Sequence, residues 1–144
     1  FFFILLISSW SLKPPFFTLI REFIFYQGEQ DAANLSNSQN WDTRMGYLAD
    51  SLRSLTGLSG IKITIIKIHQ NTNKTYTSTL RTSQDNACAT ISNSECIDSS
   101  LFGLGTDLVH LTESAQDSLG QYLMRNMDYL TIRKVISFNG NILK

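Results

Sequence analysis

Two short segments carry most of the chemistry this chain can do. In Asp107-Leu108-Val109-His110-Leu111-Thr112 a carboxylate stands three residues before an imidazole. A short turn can bring those two side chains to the same side. A neutral imidazole can then take a proton from a hydroxyl and return it to a leaving alcohol. The carboxylate accepts from the other ring nitrogen, fixes the tautomer and stabilises the imidazolium. His110 is the candidate general base and Asp107 its orienter. In Tyr26-Gln27-Gly28-Glu29-Gln30-Asp31-Ala32 the Gln27 amide can donate to an oxyanion, and Gly28 lets substrate or backbone come close. Glu29 reads either as a buried orienting carboxylate or as a charge at the start of a helix. Together the two segments point to a serine esterase.

The nucleophile itself is not identified. Ser8 and Ser9 follow an apolar run, as a nucleophile could, but no glycine precedes them. His69 follows an apolar run and could line the rim of a cleft; a solvated histidine at a strand end is the preferred reading. Two histidines, with two cysteines eight positions apart, do not match zinc-ligand spacings, so no metal site is expected. There is no glycine-rich phosphate loop and no dinucleotide fingerprint, and no cofactor is implied.

The elements that must hold these groups are legible in the apolar pattern. Glu22-Phe23-Ile24-Phe25-Tyr26 reads as a buried strand ending at Gly28. The polar stretch from Asp31 to Asn40 reads as a loop. Asp42 or Thr43 can cap a helix to about Leu55, with Met45, Leu48, Leu52 and Leu55 on one apolar face. Gly57 and Gly60 end it. Ile61 to Ile68 is β-branched and nearly continuous in its apolar character, which suits an internal parallel strand. After a turn at Asn71 to Lys74, a weakly patterned helix runs from about Thr77 to Ala87, and a short strand falls within Ala89 to Ile97. A loop through Phe102 to Gly105 leads into Asp107. Thr112 or Ser114 caps a last helix to about Met127, with Ala115, Leu119, Tyr122, Leu123 and Met127 as its buried stripe. Gly120 in mid-helix costs about 1 kcal/mol against Ala, so close packing is its expected reason.

The alternation of strand and helix predicts an α/β layered fold with a parallel sheet and right-handed crossovers. Sites in such sheets form at the carboxyl ends of the strands. Gln27 and His69 end successive strands, and Asp107 and His110 sit in a loop that could reach the same rim.

Composition narrows the function further. The chain has 144 residues, 42% apolar and 17% charged, enough to bury the core of one domain. Twelve basic residues balance 12 acidic ones, so no basic face for nucleic acid is implied. Phe1 to Ile7 is wholly apolar but too short to span a bilayer, which takes roughly 20 residues. It reads as a trimmed signal segment, a truncated strand or sequence from another reading frame, and no stable membrane span is expected. Cys88 and Cys96 could form a bridge closing a loop of roughly nine residues, or remain two buried thiols; the spacing leaves both open. Asn34-Leu35-Ser36 and Asn73-Lys74-Thr75 are formal glycosylation acceptors, and with the apolar start they tilt the expectation toward a secreted or extracytoplasmic protein.

The segments also resemble a known family. Tyr26-Gln27-Gly28-Glu29-Gln30-Asp31-Ala32 after an apolar strand is similar to the W/H-Q-G-E-S-D-A block of the sialate O-acetylesterase-like (SASA) family, which belongs to the SGNH, or GDSL-like, hydrolases and includes acetylxylan esterases. Asp107-x-x-His110-Leu111-Thr112, with Gln116 and Leu119-Gly120 after it, resembles that family's closing block, and Leu80-Arg81-x-x-Gln84 resembles an intervening element. Gln30 stands where the family has Ser. The resemblance covers roughly residues 16 to 130, leaving 1–15 as an apolar N-terminal segment of uncertain status and 131–144 as a tail. It implies a three-layer, flavodoxin-like SGNH hydrolase fold with its N-terminal strands missing. It also implies a Ser-His-Asp enzyme that removes O-acetyl groups from carbohydrate, with His110 and Asp107 catalytic and Gln27, Gly28 and Glu29 in the block facing the oxyanion. The family's serine lies far upstream of Q-G-E; Ser9 stands only 18 positions before Gln27, too few for the intervening elements. The chain thus reads as the C-terminal part of such an enzyme, inactive alone. A second reading is a non-catalytic protein that keeps the fold and binds glycan or a partner chain. On the first reading the strand at Glu22 to Tyr26 would be an exposed edge that invites self-association, unless Phe1 to Ile7 fills the gap.

Overall fold

The computed structural model describes residues 22–126. Expectations for Phe1 to Ile7, Ser8, Ser9, Met127 and the tail 131–144 lie outside those residues. Three parallel strands form the centre: β1 (Glu22–Tyr26), β2 (Lys62–Lys67) and β3 (Ser94–Asp98), in that order across the sheet. Helices α1 (Leu35–Gln39) and α2 (Trp41–Thr56) connect β1 to β2, α3 (Thr77–Thr90) connects β2 to β3, and α4 (Glu113–Asn126) follows. This is the α/β layered arrangement with a parallel sheet that the alternating pattern predicts.

Strand parity decides which residues meet which helices. Phe23, Ile63 and Ile65 face one side and pack with Trp41, Met45 and Ala49 of α2 and Leu80 and Ala87 of α3. Ile24, Ile66 and Ile97 face the other and pack with Leu111 and with Ala115, Leu119 and Leu123 of α4. Because β2 is covered on both sides, Ile63, Thr64, Ile65 and Ile66 are all enclosed, and each isoleucine contributes roughly 1.5–3 kcal/mol by burial. Glu22, buried at the start of β1, accepts from the Thr64 hydroxyl and faces Lys62 Nζ at 3.5 Å. Cys88 of α3 and Cys96 of β3 form a disulfide, which ties that helix to the outer strand and decides between the two readings of the cysteines.

Several local expectations need correction. The stretch from Asp31 to Asn40 is not a loop: a 3-10 turn (Asp31–Ala33) leads into α1, where Asn34 Oδ1 accepts from the Asn37 N–H at 3.1 Å and Ser38 is buried against the Asp31 carbonyl. Asn40, with no side-chain cap, precedes α2; Asp42 accepts instead from its neighbour Thr43 N–H. The buried face of α2 is Trp41, Met45 and Ala49, with Leu48 and Leu52 beside them. Leu55 is 85% exposed, because the last turn of α2 runs past the core before Gly57 closes it in a left-handed conformation. On α4, Thr112 Oγ1 accepts from the Ala115 N–H, and Tyr122 is only half covered, edge-on to Phe102. Gly120 is exposed, with open space where a Cβ would stand, so close packing does not account for it.

Candidate active site

The Asp107–His110 turn is built largely by backbone bonds. Asp107 Oδ1 accepts from the N–H groups of Val109 and His110, both at 3.0 Å. Leu108 takes φ +54°, a left-handed conformation that a β-carbon disfavours. That reversal lets Asp107 Oδ2 reach His110 Nδ1 at 2.6 Å. Gly105 closes the turn from beneath, donating to the His110 carbonyl at 2.7 Å; a Cβ there would stand 2.9 Å from that same oxygen. The Gly105 requirement was not read from the sequence, where it looked like a generic loop glycine.

The electrostatics follow from these contacts. The backbone N–H of His110, its ring and the Val109 N–H hold the Asp107 carboxyl well below the usual carboxylate range. An ionised Asp107 accepts the Nδ1 proton, which leaves the lone pair on Nε2, the nitrogen a general base needs. Among the described residues His110 Nε2 has no hydrogen-bond partner. The pair is open, with His110 65% and Asp107 53% exposed in their side chains.

The Gln27 turn begins directly after β1. Gln27 Nε2 donates to Asp31 Oδ2 at a long 3.4 Å, and the Gly28 N–H donates to Glu29 Oε2 at 3.1 Å. Glu29 therefore turns back onto its own loop, a role neither of its sequence readings anticipated. Gly28 has φ +145°, and a Cβ would meet Leu80 Cδ2 at 2.8 Å. Its smallness admits the neighbouring core side chains, where the sequence suggested close approach of substrate or backbone. His69, expected to be solvated, is buried; its Nδ1 accepts from the Asn71 N–H, which puts its proton on Nε2.

One connector ties the two candidate segments together. The Asn73 N–H donates to the Leu108 carbonyl at 2.9 Å, and the Tyr76 N–H donates to the Ala32 carbonyl at 2.8 Å. Both residues belong to the loop between β2 and α3, so the Asp107–His110 turn and the Gln27 turn are moored to the same segment at the carboxyl ends of the strands. Three buried hydroxyls in these connections, those of Tyr26, Thr72 and Ser99, meet no hydrogen-bond partner among the described residues. Burial, then the Glu29 carboxylate, pushes the Tyr26 phenol up to about 12; nearby Ser99 pulls it the other way without reaching hydrogen-bonding geometry. A groove of about 420 Å³ lies elsewhere, along α2 and the end of α3, lined by residues such as Asp42, Asp50 and Arg53. None of Gln27, Gly28, Glu29, Asp107 or His110 lines it.

A family model described as carbohydrate esterase, sialic acid-specific acetylesterase, matches residues 11–129. A protein of Arabidopsis thaliana of known X-ray structure superposes with a TM-score of 0.66 at 28% sequence identity. The match covers 75% of this chain and 45% of that one, so the chain spans less than half of its structural neighbour. No curated protein matches.

Proposed function

Because this chain belongs to the sialic acid-specific acetylesterase (SASA) family of carbohydrate esterases, we propose that it supplies the acid–base side of a serine hydrolase that removes O-acetyl groups from sugars. The observation that carries this reading is the 2.6 Å contact between Asp107 Oδ2 and His110 Nδ1, in a turn bonded to the same connector that bonds the Ala32 carbonyl. In the proposed cycle Nε2 of His110 accepts the proton of a serine hydroxyl as that oxygen attacks the acetyl carbonyl. Asp107 stabilises the resulting imidazolium. The imidazolium gives the proton to the departing sugar oxygen as its bond to the acetyl carbon breaks, and a second passage with water frees acetate. Gln27 and the Gly28 N–H would face the oxyanion, which requires them to leave Asp31 and Glu29.

On this reading none of the serines among the 144 residues is the nucleophile. An active-serine probe should therefore leave the 144-residue chain unlabelled; stoichiometric labelling would contradict that assignment. The full-length protein should hydrolyse acetyl esters and lose about 10³-fold or more in kcat in His110→Ala. An unchanged rate in that variant would remove His110 from the mechanism.

A further inference from the structure

We infer that Arg81 and Gln84, three residues apart on α3, are positioning residues that hold both halves of the site in register. The inference rests on the esterase reading for its catalytic meaning and on geometry for the rest. The β1–β2 ladder ends at Tyr26 and Ile66, and the β2–β3 ladder at Lys67 and Asp98. Immediately beyond, Ile68 is fully buried, and its two backbone groups have no strand to pair with. Such groups cost about 1–3 kcal/mol each if left unmade. Gln84 Oε1 accepts from the Ile68 N–H at 3.1 Å, and Arg81 Nη1 donates to the Ile68 carbonyl. One turn of α3 thus grips both polar groups of a single residue.

The same two side chains reach the other strands. Gln84 Nε2 donates to the Gln27 carbonyl at 3.4 Å. Arg81 forks onto Asp98, with Nη2 to Oδ2 at 2.7 Å and Nη1 to Oδ1 at 3.1 Å, and Nη1 also meets Ser100 Oγ at 3.3 Å. Burial raises the Asp98 carboxyl, but Arg81 and the Ser100 N–H outweigh it and hold it well below the usual range. Ser100 Oγ in turn accepts from the Gln70 N–H at 2.9 Å. The carboxyl ends of all three strands are therefore joined through Arg81 and Gln84. The Gln27–Gly28 turn leaves from one side of this joint. The loop that carries Asn73, and through it the Leu108 carbonyl, leaves from the other. Gln84 is fully buried, so its bonds to Ile68 and Gln27 are shielded from bulk water.

The test uses the labelled 144-residue chain for geometry and the full-length enzyme for rate. In Gln84→Leu the Ile68 amide should exchange about tenfold faster relative to Ile65 in the same molecule, and the Gly28 and Leu108 amide resonances should move. Gln84→Glu, isosteric and serving if Gln84→Leu does not fold, sets an ionisable oxygen against the Gln27 carbonyl. The Ile68 amide resonance, whose N–H bonds the substituted side chain, should titrate in that variant and not in the wild type. In the full-length enzyme Gln84→Glu should lower kcat about tenfold with KM within about twofold, and Arg81→Lys should retain more activity than Arg81→Met. Unchanged Ile68 exchange, or equal loss of protection at Ile65, overturns the clamp. An unchanged kcat with displaced Gly28 overturns its catalytic role. A wild-type enzyme with no esterase activity sinks the functional reading and leaves the amide measurements to decide the clamp.

Discussion

The carbonyl of Leu108 accepts the backbone N–H of Asn73 at 2.9 Å, and Leu108 does so from a left-handed conformation. That bond fastens the turn bearing Asp107 and His110 to the loop after β2. The conformation costs about 1–2 kcal/mol for a residue with a branched, apolar side chain, and nothing about the half-exposed leucine offsets it. Asparagine tolerates this region better. Leu108→Asn should raise the stability of the chain by about 1 kcal/mol in urea titration and leave the Asp107–His110 contact in place. A loss of stability would show that the leucine side chain packs against something its exposure does not reveal.

Gly28 is the second point of strain, of the opposite kind. Its positive φ and the 2.8 Å approach of Leu80 to its absent Cβ mean that any side chain meets both a backbone penalty and a steric one. Gly28→Ala should cost about 2–4 kcal/mol, adding the two effects. Circular dichroism under denaturant checks it. A loss under about 0.5 kcal/mol would mean the turn can relax away from Leu80.

The Tyr26 hydroxyl gives a prediction with a pH signature. It is buried without a hydrogen-bond partner among the described residues, and its pKa is pushed up to about 12 from the ordinary 10.0 by burial and then by Glu29. A group whose pKa is raised on folding contributes stability that is fully present below its unfolded pKa. Here that contribution is lost as pH climbs from about 10 toward about 12. Tyr26→Phe should raise stability by about 1 kcal/mol at pH 7, where an unmade hydrogen bond is relieved, and should flatten the decline above pH 10. A drop of about 1 kcal/mol at pH 7 would mean the hydroxyl has a partner after all.

Much of the frame was legible in the sequence because it is fixed by apolar pattern. Glu22–Tyr26 and the Ile61–Ile68 run are apolar enough that only a buried strand accommodates them, and both formed. Where polar residues are buried, pattern fails. The face of α3 that enters the core carries Thr77, Ser83 and Gln84 beside Leu80 and Ala87, so the helix looked weak although it is fully formed to Thr90. Helix α1 was missed because its anchor, Ser38, is polar and makes its bond to a backbone carbonyl seven residues away. Leu55 and Gly120 were misplaced by assuming that helical periodicity continues to the last turn and that a glycine in a helix must touch something.

The site was legible in part. The Asp-x-x-His spacing identified a pair that meets at 2.6 Å, since three residues are enough for a turn whose first carboxylate collects the following N–H groups. The inverted Leu108 backbone that makes the turn possible has no sequence signal. Nor has the joint made by Arg81 and Gln84: the Ile68, Gln27 and Asp98 groups they serve come together only in the folded chain.

The central claim is that the Asp107–His110 turn and the Gln27 turn occupy one rim of the molecule. Paramagnetic relaxation tests it most directly. With Cys88 and Cys96 bridged, a cysteine introduced as His110→Cys is the one free thiol for a nitroxide. The amide signals of Gln27, Gly28 and Asn73 should broaden strongly, while those of Gly57, Gly60 and Asn93, at the amino ends of the strands, should remain sharp. Broadening of Gly57 and Gly60 with Gly28 untouched would place the two turns on opposite ends of the sheet and contradict the account.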